Sequence, residues 1–149
     1  MYTKEIEWND KRERKMNQRI ITKRLHYQDD LLAEIKKIAC EEKLKAAVVI
    51  SSVGCLTKLR IRDASGVTIQ EVNEPLEILS VNGTVSELRT HLHIACSKED
   101  LSTVGGHMME GCRINTTCEL VLMELPNICF GIEQDETTGY DEIIFKQMN

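Results

Sequence analysis

The sequence predicts an α+β domain in which one main helix covers a mostly antiparallel sheet of about seven strands. Residues 30–43 have the apolar spacing of an amphipathic helix. About seven other runs either alternate between apolar and polar residues or are continuously apolar, as strands do. The connections between these runs are short and rich in turn-forming residues, which is typical of neighbouring antiparallel strands.

Length and composition indicate one soluble domain. The chain has 149 residues, of which 42% are apolar and 29% charged, and its net charge of −5 disfavours attraction of phosphate by the whole surface. No apolar run is long enough for a membrane span, so no membrane partner is expected. The six cysteines include no Cys-x-x-Cys pair, and no secretory signal is visible, so we expect reduced thiols and a cytoplasmic location.

Residues 1–19 are predicted to form a charged N-terminal leader, and residues 20–149 a single domain. Residues 8–19 carry five basic side chains. Such an arm could contact nucleic acid or an acidic partner, but a solvated leader or a first edge strand is the commoner arrangement.

The first predicted elements are a strand at 20–25 and the helix. Asp29 or Asp30 is expected to cap the helix N-terminus. The outer face of the helix carries both acidic and basic side chains, which indicates a covering helix rather than one that reads a DNA groove. Its apolar stripe comprises Leu31, Leu32, Ile35, Ile38 and Ala39.

The middle of the chain reads as strands and hairpins. A buried strand at 46–54 is expected to end in a turn at Gly54, and residues 57–62 and 67–72 form a hairpin. A strand at 76–81 is followed by Asn82-Gly83, the strongest hairpin turn signal in the sequence. The histidine-containing strand at 91–96 follows.

The last part of the chain continues the all-strand pattern. Residues 112–124 form a long extended run, and shorter strands are predicted at 128–132 and 143–145. Residues 133–142 are strongly acidic and are predicted to form a loop.

Three of the four histidines lie between residues 91 and 107. Because strand side chains alternate between faces, His91 and His93 point the same way, with Cα atoms roughly 6.5–7 Å apart. His107 follows Gly105-Gly106, where the backbone is expected to turn or to approach another strand closely. Three converging imidazoles are typical ligands of zinc, with one position left for water or a ligand. An isolated His-x-His pair is more often a pair of hydrogen-bonded surface residues.

From about residue 24 to residue 140 the chain resembles the PPC domain, which is conserved in plants and prokaryotes. The matching residues occur in the family's order. They are Arg24-Leu25, Asp30-Leu31-Leu32, Val53-Gly54, Leu76-Glu77-Ile78-Leu79-Ser80, Gly83-Thr84-Val85, His91-Leu92-His93-Ile94, Val104-Gly105-Gly106-His107-Met108, Glu110-Gly111-Cys112 and Glu119.

This resemblance implies a homotrimer with a DNA-binding or transcription-regulatory role. Plant members join the domain to an AT-hook that reads the minor groove, and no Gly-Arg-Pro hook core occurs here. Their Gly-Arg-Phe-Glu-Ile-Leu motif contacts partner regulators. The second half of that motif is kept here, as Leu76, Glu77, Ile78 and Leu79.

The domain also looks distantly similar in architecture to acetolactate decarboxylase, in which a His-x-His strand and a later histidine hold catalytic zinc. That similarity implies a zinc-dependent enzyme acting on a small oxo- or hydroxy-acid as the alternative function. Such an enzyme also needs a general acid or base near the metal. Glu77, Glu110, Arg113 and Glu119 are candidates by residue type alone. The regulatory interpretation is preferred, and a small-molecule ligand at the metal is compatible with both.

Overall fold

The computed structural model describes residues 18–148 and confirms the α+β class. The predicted leader lies almost entirely outside the described residues. Within them there are nine strands and one helix. These are β1 (Ile20–His26), α1 (Leu31–Glu41), β2 (Ala47–Arg62), β3 (Ile69–Val72), β4 (Leu76–Val85), β5 (Thr90–Ser97), β6 (Thr103–Met108), β7 (Arg113–Glu124), β8 (Ile128–Asp135) and β9 (Tyr140–Gln147).

Seven strands form one antiparallel sheet in the order β1-β7-β2-β4-β5-β6, with β3 paired to β2. The end of β2 also pairs with β6, through Ile61–Met108 and Arg62–His107, so β2, β4, β5 and β6 close into a ring. β2 can pair with both β4 and β6 because it has 16 residues and its register against β7 shifts at three places. Such irregularities bend and twist a strand. β8 and β9 form a separate hairpin.

Helix α1 packs its predicted stripe into the core. Leu31, Ile35 and Ala39 are fully buried. Asp30 is the N-cap, and its side chain accepts a hydrogen bond from the Ala33 N–H at 3.2 Å. The helix ends at Glu41, two residues before the predicted end, because Lys43 takes a left-handed conformation with φ +54°. Neither α1 nor any other part of residues 18–148 forms a helix with the length and apolar content to cross a bilayer.

Two predicted glycine turns are wrong, because both glycines lie inside strands. Gly54 pairs with Cys118 in the β2–β7 ladder, and a Cβ there would lie 2.3 Å from the Thr117 carbonyl oxygen. Asn82 and Gly83 continue β4 opposite β5. The actual turn follows at 86–89, where the Ser86 N–H donates to the Arg89 carbonyl at 2.8 Å. Both glycines allow close strand approach rather than chain reversal.

The predicted acidic loop at 133–142 is also wrong, since most of it is strand. β8 extends to Asp135 and β9 begins at Tyr140, which leaves a turn of residues 136–139. The Asp135 carboxylate accepts a hydrogen bond from the Thr137 N–H at 2.8 Å and fixes this turn. The hairpin tip is exposed to solvent, so its acidic side chains need no burial.

Candidate metal centre

The three predicted imidazoles meet on the face of the sheet opposite the core. His93 of β5 lies directly opposite His107 of β6, and His91 precedes it by two residues. The ring centroids are 5.0–5.7 Å apart. One nitrogen can be taken from each ring such that all three nitrogens lie within 4.8 Å of one another. The structure thus gathers the three side chains, and their binding of a metal stays a prediction.

Burial of the alternate residues explains this arrangement. Leu92 and Ile94 are 1% and 3% exposed, so β5 turns its histidines to the opposite face. Met108 is buried in the same way and leaves His107 on the outer side of β6.

Of the two expectations for Gly105 and Gly106, the structure has the close approach to another strand and not the turn. Both continue β6, paired with Ala95 and Ile94. A Cβ at Gly105 would lie 2.5 Å from the Ile94 carbonyl oxygen, so this part of β6 has no room for a side chain. The close strand approach brings His107 up to His93.

Burial and nearby cations favour the neutral forms of His107 and His91. Burial lowers the pKa of His107 to about 4, and the Arg62 guanidinium adds to this effect. Burial also lowers the pKa of His91, with Arg89 as the next largest cause. Neutral imidazole has a free lone pair, and it is the form that binds metals.

The residues fit a zinc ion in donor type and spacing. The Nδ1 atom of His107 is buried and has no hydrogen-bond partner among the described residues. Two Zn–N bonds of about 2.1 Å join nitrogens that are at most about 4.2 Å apart, so small ring rotations would bring all three onto one ion. Three nitrogen ligands leave at least one coordination position for water or a ligand.

The partial partner-contact motif is divided between core and surface. Leu76 and Ile78 are 2% and 7% exposed and belong to the core, whereas Leu79 is 57% exposed. Glu77 is also exposed. Only Glu77 and Leu79 are therefore available to a partner in this fold.

Three of the four acid–base candidates lie apart from the histidines in the strand ladders. The fourth, Glu110, lines a cavity together with His107. The Glu110 carboxylate is occupied by Lys36 at 2.7 Å. Glu77 faces Ser97, at the far end of β5 from His91, and Glu119 pairs with Arg24 and Val53. The Arg113 guanidinium donates to the Gln28 carbonyl at 3.3 Å.

Two arginines near the histidines are not identifiable as site residues from the sequence. Arg62 lies opposite His107 in the β2–β6 ladder, and Arg89 lies two residues before His91. An outward position for Arg62 follows from strand alternation. Its place beside His107 arises only from the closure of β2 onto β6, which no local pattern encodes.

The family model of the Plants and Prokaryotes Conserved (PCC) domain matches residues 12–126. The chain belongs to the PCC-domain family. This confirms the resemblance described above under the name PPC. The match includes all three clustered histidines and both arginines.

Solved structures agree with this assignment. A hypothetical protein from Salmonella cholerae-suis is 32% identical with a TM-score of 0.84, over 87% of this chain and 94% of that one. A metal-containing protein from Archaeoglobus fulgidus is 27% identical with a TM-score of 0.71, over 85% of this chain and 93% of that one. A protein from Bacteroides thetaiotaomicron, named as a candidate DNA-binding protein, shares the fold at 18% identity with a TM-score of 0.74, over 87% and 93%.

Among curated proteins, this PCC-domain chain is similar to the bifunctional protein GlmU of two Synechococcus strains. Identity is 36% over 120 residues for one, covering 80% of this chain. It is 35% over 125 residues for the other, covering 84% of this chain. The chain spans about one fifth of the length of these relatives, 19% and 20% respectively.

Proposed function

We propose that this PCC-domain protein is a homotrimeric DNA-binding or transcription-regulatory module whose His91, His93 and His107 hold a divalent transition metal, zinc by preference. The observation that carries the proposal is the approach of three imidazole nitrogens to within 4.8 Å of one another. Imidazole nitrogens at this spacing are typical ligands of zinc and of similar transition metals.

The chemistry of the three side chains supports zinc. All donors are imidazole nitrogens, which suit zinc better than magnesium or calcium, since those ions prefer oxygen. The similar protein from Archaeoglobus fulgidus is described as metal-containing, at 27% identity. A bound zinc ion would supply a Lewis acid with an open position for a small ligand.

The regulatory part of the proposal is supported by relatives rather than by local charge. Structures of similar fold from Bacteroides thetaiotaomicron and Ralstonia eutropha are named as candidate DNA-binding proteins. In this chain the cations on the outer face of β2 are partly neutralised, because Lys58 and Arg60 both pair with Glu71 at 2.9 and 3.1 Å. This face of β2 is therefore better suited to contact a protein partner or another subunit than to contact DNA. Direct DNA binding is the part of the proposal that most needs an experiment.

The alternative, a zinc-dependent enzyme acting on a small oxo- or hydroxy-acid, requires a general acid or base beside the metal. The open position of a three-histidine centre favours it. The engagement of Glu110 by Lys36, and the positions of Glu77 and Glu119 on other parts of the sheet, favour the regulatory function.

Metal analysis of protein purified without a histidine tag tests the centre. We expect one zinc per chain, and light scattering should give three times the chain mass of 17.0 kDa. His93→Ala should lose the metal, while the control Asn82→Ala, at the neighbouring exposed position of β4, should keep it. Metal-free wild-type protein after incubation with zinc would reject the centre, and a monomeric mass would reject the trimer.

Electrophoretic mobility shift with duplex DNA tests the nucleic-acid part. Direct binding should weaken steeply as salt increases, because each neutralised phosphate releases counterions. The absence of any shift at low salt would reject direct DNA binding, and capture of a transcription regulator would then be the remaining regulatory mode.

A further inference from the structure

Two guanidinium groups next to the histidines have buried nitrogens that lack a hydrogen-bond partner among the described residues. The Nε atom of Arg62 and one terminal nitrogen of Arg89 are buried, and neither makes a hydrogen bond within residues 18–148. Buried donors are normally paired, because an unpaired one loses its hydration without compensation. Two such donors at one place indicate a missing acceptor.

The positions of these arginines point to the histidine cluster. Asn82, His93, His107 and Arg62 are consecutive partners across four adjacent strands, so their side chains form one row on the outer face. Arg89 lies one residue before β5, on the His91 side of the row.

The positive charge around the cluster is poorly balanced. The nearest carboxylate to Arg89 is Glu142, at 3.8 Å. Among the described residues, no carboxylate lies within 4.0 Å of Arg62. A divalent metal held by the histidines would add two more positive charges, so an anionic ligand would be strongly favoured there.

We propose that Arg62, assisted by Arg89, binds a small oxyanion whose second oxygen occupies the open position of the metal at His91, His93 and His107. This inference rests on the metal centre proposed above. A guanidinium has parallel N–H donors that match the two oxygens of a carboxylate or phosphate, which is why arginine is the usual partner of these groups.

The surface beside the cluster has room for a small molecule. A depression of about 240 Å³ adjoins His91 and His93, and the side chains of Asn82 and Thr84 line it. Asn82 and Thr84 are the β4 partners of His93 and His91, so their amide and hydroxyl groups lie on the same face. Ile143 of β9 also lines the depression and adds an apolar side chain to it. Neutral donors and one apolar wall suit the remainder of a small carboxylic or phosphoric acid.

The test uses full-length protein loaded with cobalt(II), whose visible absorption reports its ligands. Acetate, lactate and inorganic phosphate are titrated separately, with chloride as an anion that lacks the paired oxygens. We expect a spectral change with the oxyanions at concentrations where chloride gives none. Stronger binding of acetate and lactate would identify a carboxylate ligand, and stronger binding of phosphate a phosphate ester. Equal responses to chloride would overturn the proposal.

Arg62→Gln should weaken oxyanion binding about 10- to 100-fold, the range for one lost charge-assisted hydrogen bond, while cobalt stoichiometry is unchanged. Arg62→Lys keeps the charge without the paired donors and should be intermediate. Arg24→Gln, an exposed β1 arginine, is the matched control and should bind like the wild type.

The two proposals fail differently. If wild-type protein binds no cobalt, the metal centre is wrong, and this inference falls with it. If cobalt binds but Arg62→Gln retains full oxyanion affinity, the metal centre stands and the role of Arg62 is overturned. Light scattering on each variant separates loss of oxyanion binding from loss of assembly; affinity lost only together with the oligomer would also overturn the proposal.

Discussion

Gly83→Ala is expected to be strongly destabilising, because Gly83 lies where β4 presses against β5. A Cβ at this position would lie 2.0 Å from the His91 carbonyl oxygen and 3.0 Å from the Leu92 Cα. Both atoms belong to the backbone, so no side-chain rotation can relieve the clash. The φ of +139° is also unfavourable for alanine.

The size of the effect follows from these two terms. Separating the Cβ from the carbonyl oxygen to about 3.2 Å requires a strand displacement of roughly 1.2 Å, and overpacking of this kind costs about 1–3 kcal/mol. Backbone strain adds about 1–3 kcal/mol. We therefore expect a loss of roughly 3–5 kcal/mol, which lowers the melting temperature by roughly 6–20 °C for a chain of this size.

Chemical denaturation of metal-free protein measures this loss. Gly139→Ala is the control, since Gly139 has a φ of +74° but nothing within 4 Å of an added Cβ. The Gly139→Ala variant has backbone strain without a clash, so its free energy of unfolding should fall by only about 1–2 kcal/mol. Because the displaced atom belongs to His91, Gly83→Ala should also weaken zinc binding, whereas Gly139→Ala should leave it unchanged. Equal unfolding free energies for the two variants would refute the close approach of β4 and β5.

Three further predictions concern the histidines and the core. Zinc at 100 times its Kd should stabilise the wild type by about 2.7 kcal/mol; His93→Ala should abolish that gain in differential scanning fluorimetry while its metal-free melting temperature stays close to the wild type, and Asn82→Ala should retain the gain. In metal-free protein the unfolded state takes up a proton at a higher pH than folded His107, whose pKa is about 4. Stability should therefore fall as the pH drops from about 6.5 to about 4, by about 1–2 kcal/mol after allowance for solvent screening. Urea titrations at several pH values should show a smaller fall in His107→Gln, and an unchanged slope would contradict the assignment. Leu122→Ala should cost about 2–5 kcal/mol because Leu122 is fully buried, whereas Leu88→Ala, at 70% exposure, should stay within about 0.5 kcal/mol; similar urea midpoints would contradict the core assignment.

The helix and the burial of its stripe could be predicted from the sequence because their cause is local. Asp30 caps the helix with its own side chain, and the apolar period of the stripe is that of an α-helix. The common face of His91 and His93 follows in the same way from strand alternation.

Features that depend on pairing between distant strands could not be predicted. Asn82-Gly83 has the composition of a hairpin turn. In the structure, Gly83 instead lets β4 approach β5 closely, because it has no side chain. The position of Arg62 beside His107 depends on β2 reaching β6, which joins segments more than 40 residues apart.

The row from Asn82 to Arg62 has a consequence for how the proposed centre would select its ion. His93 has strand partners on both β4 and β6, and His107 on both β5 and β2, so neither is carried by a loop that could adjust. A slip of one residue in either ladder would send an imidazole to the opposite face of the sheet. The distances between the imidazole nitrogens are thus set by the spacing of β-strands. Ions that require a larger or octahedral coordination shell should therefore bind more weakly than zinc. Exchange of the metal should then be slow compared with sites built on mobile segments.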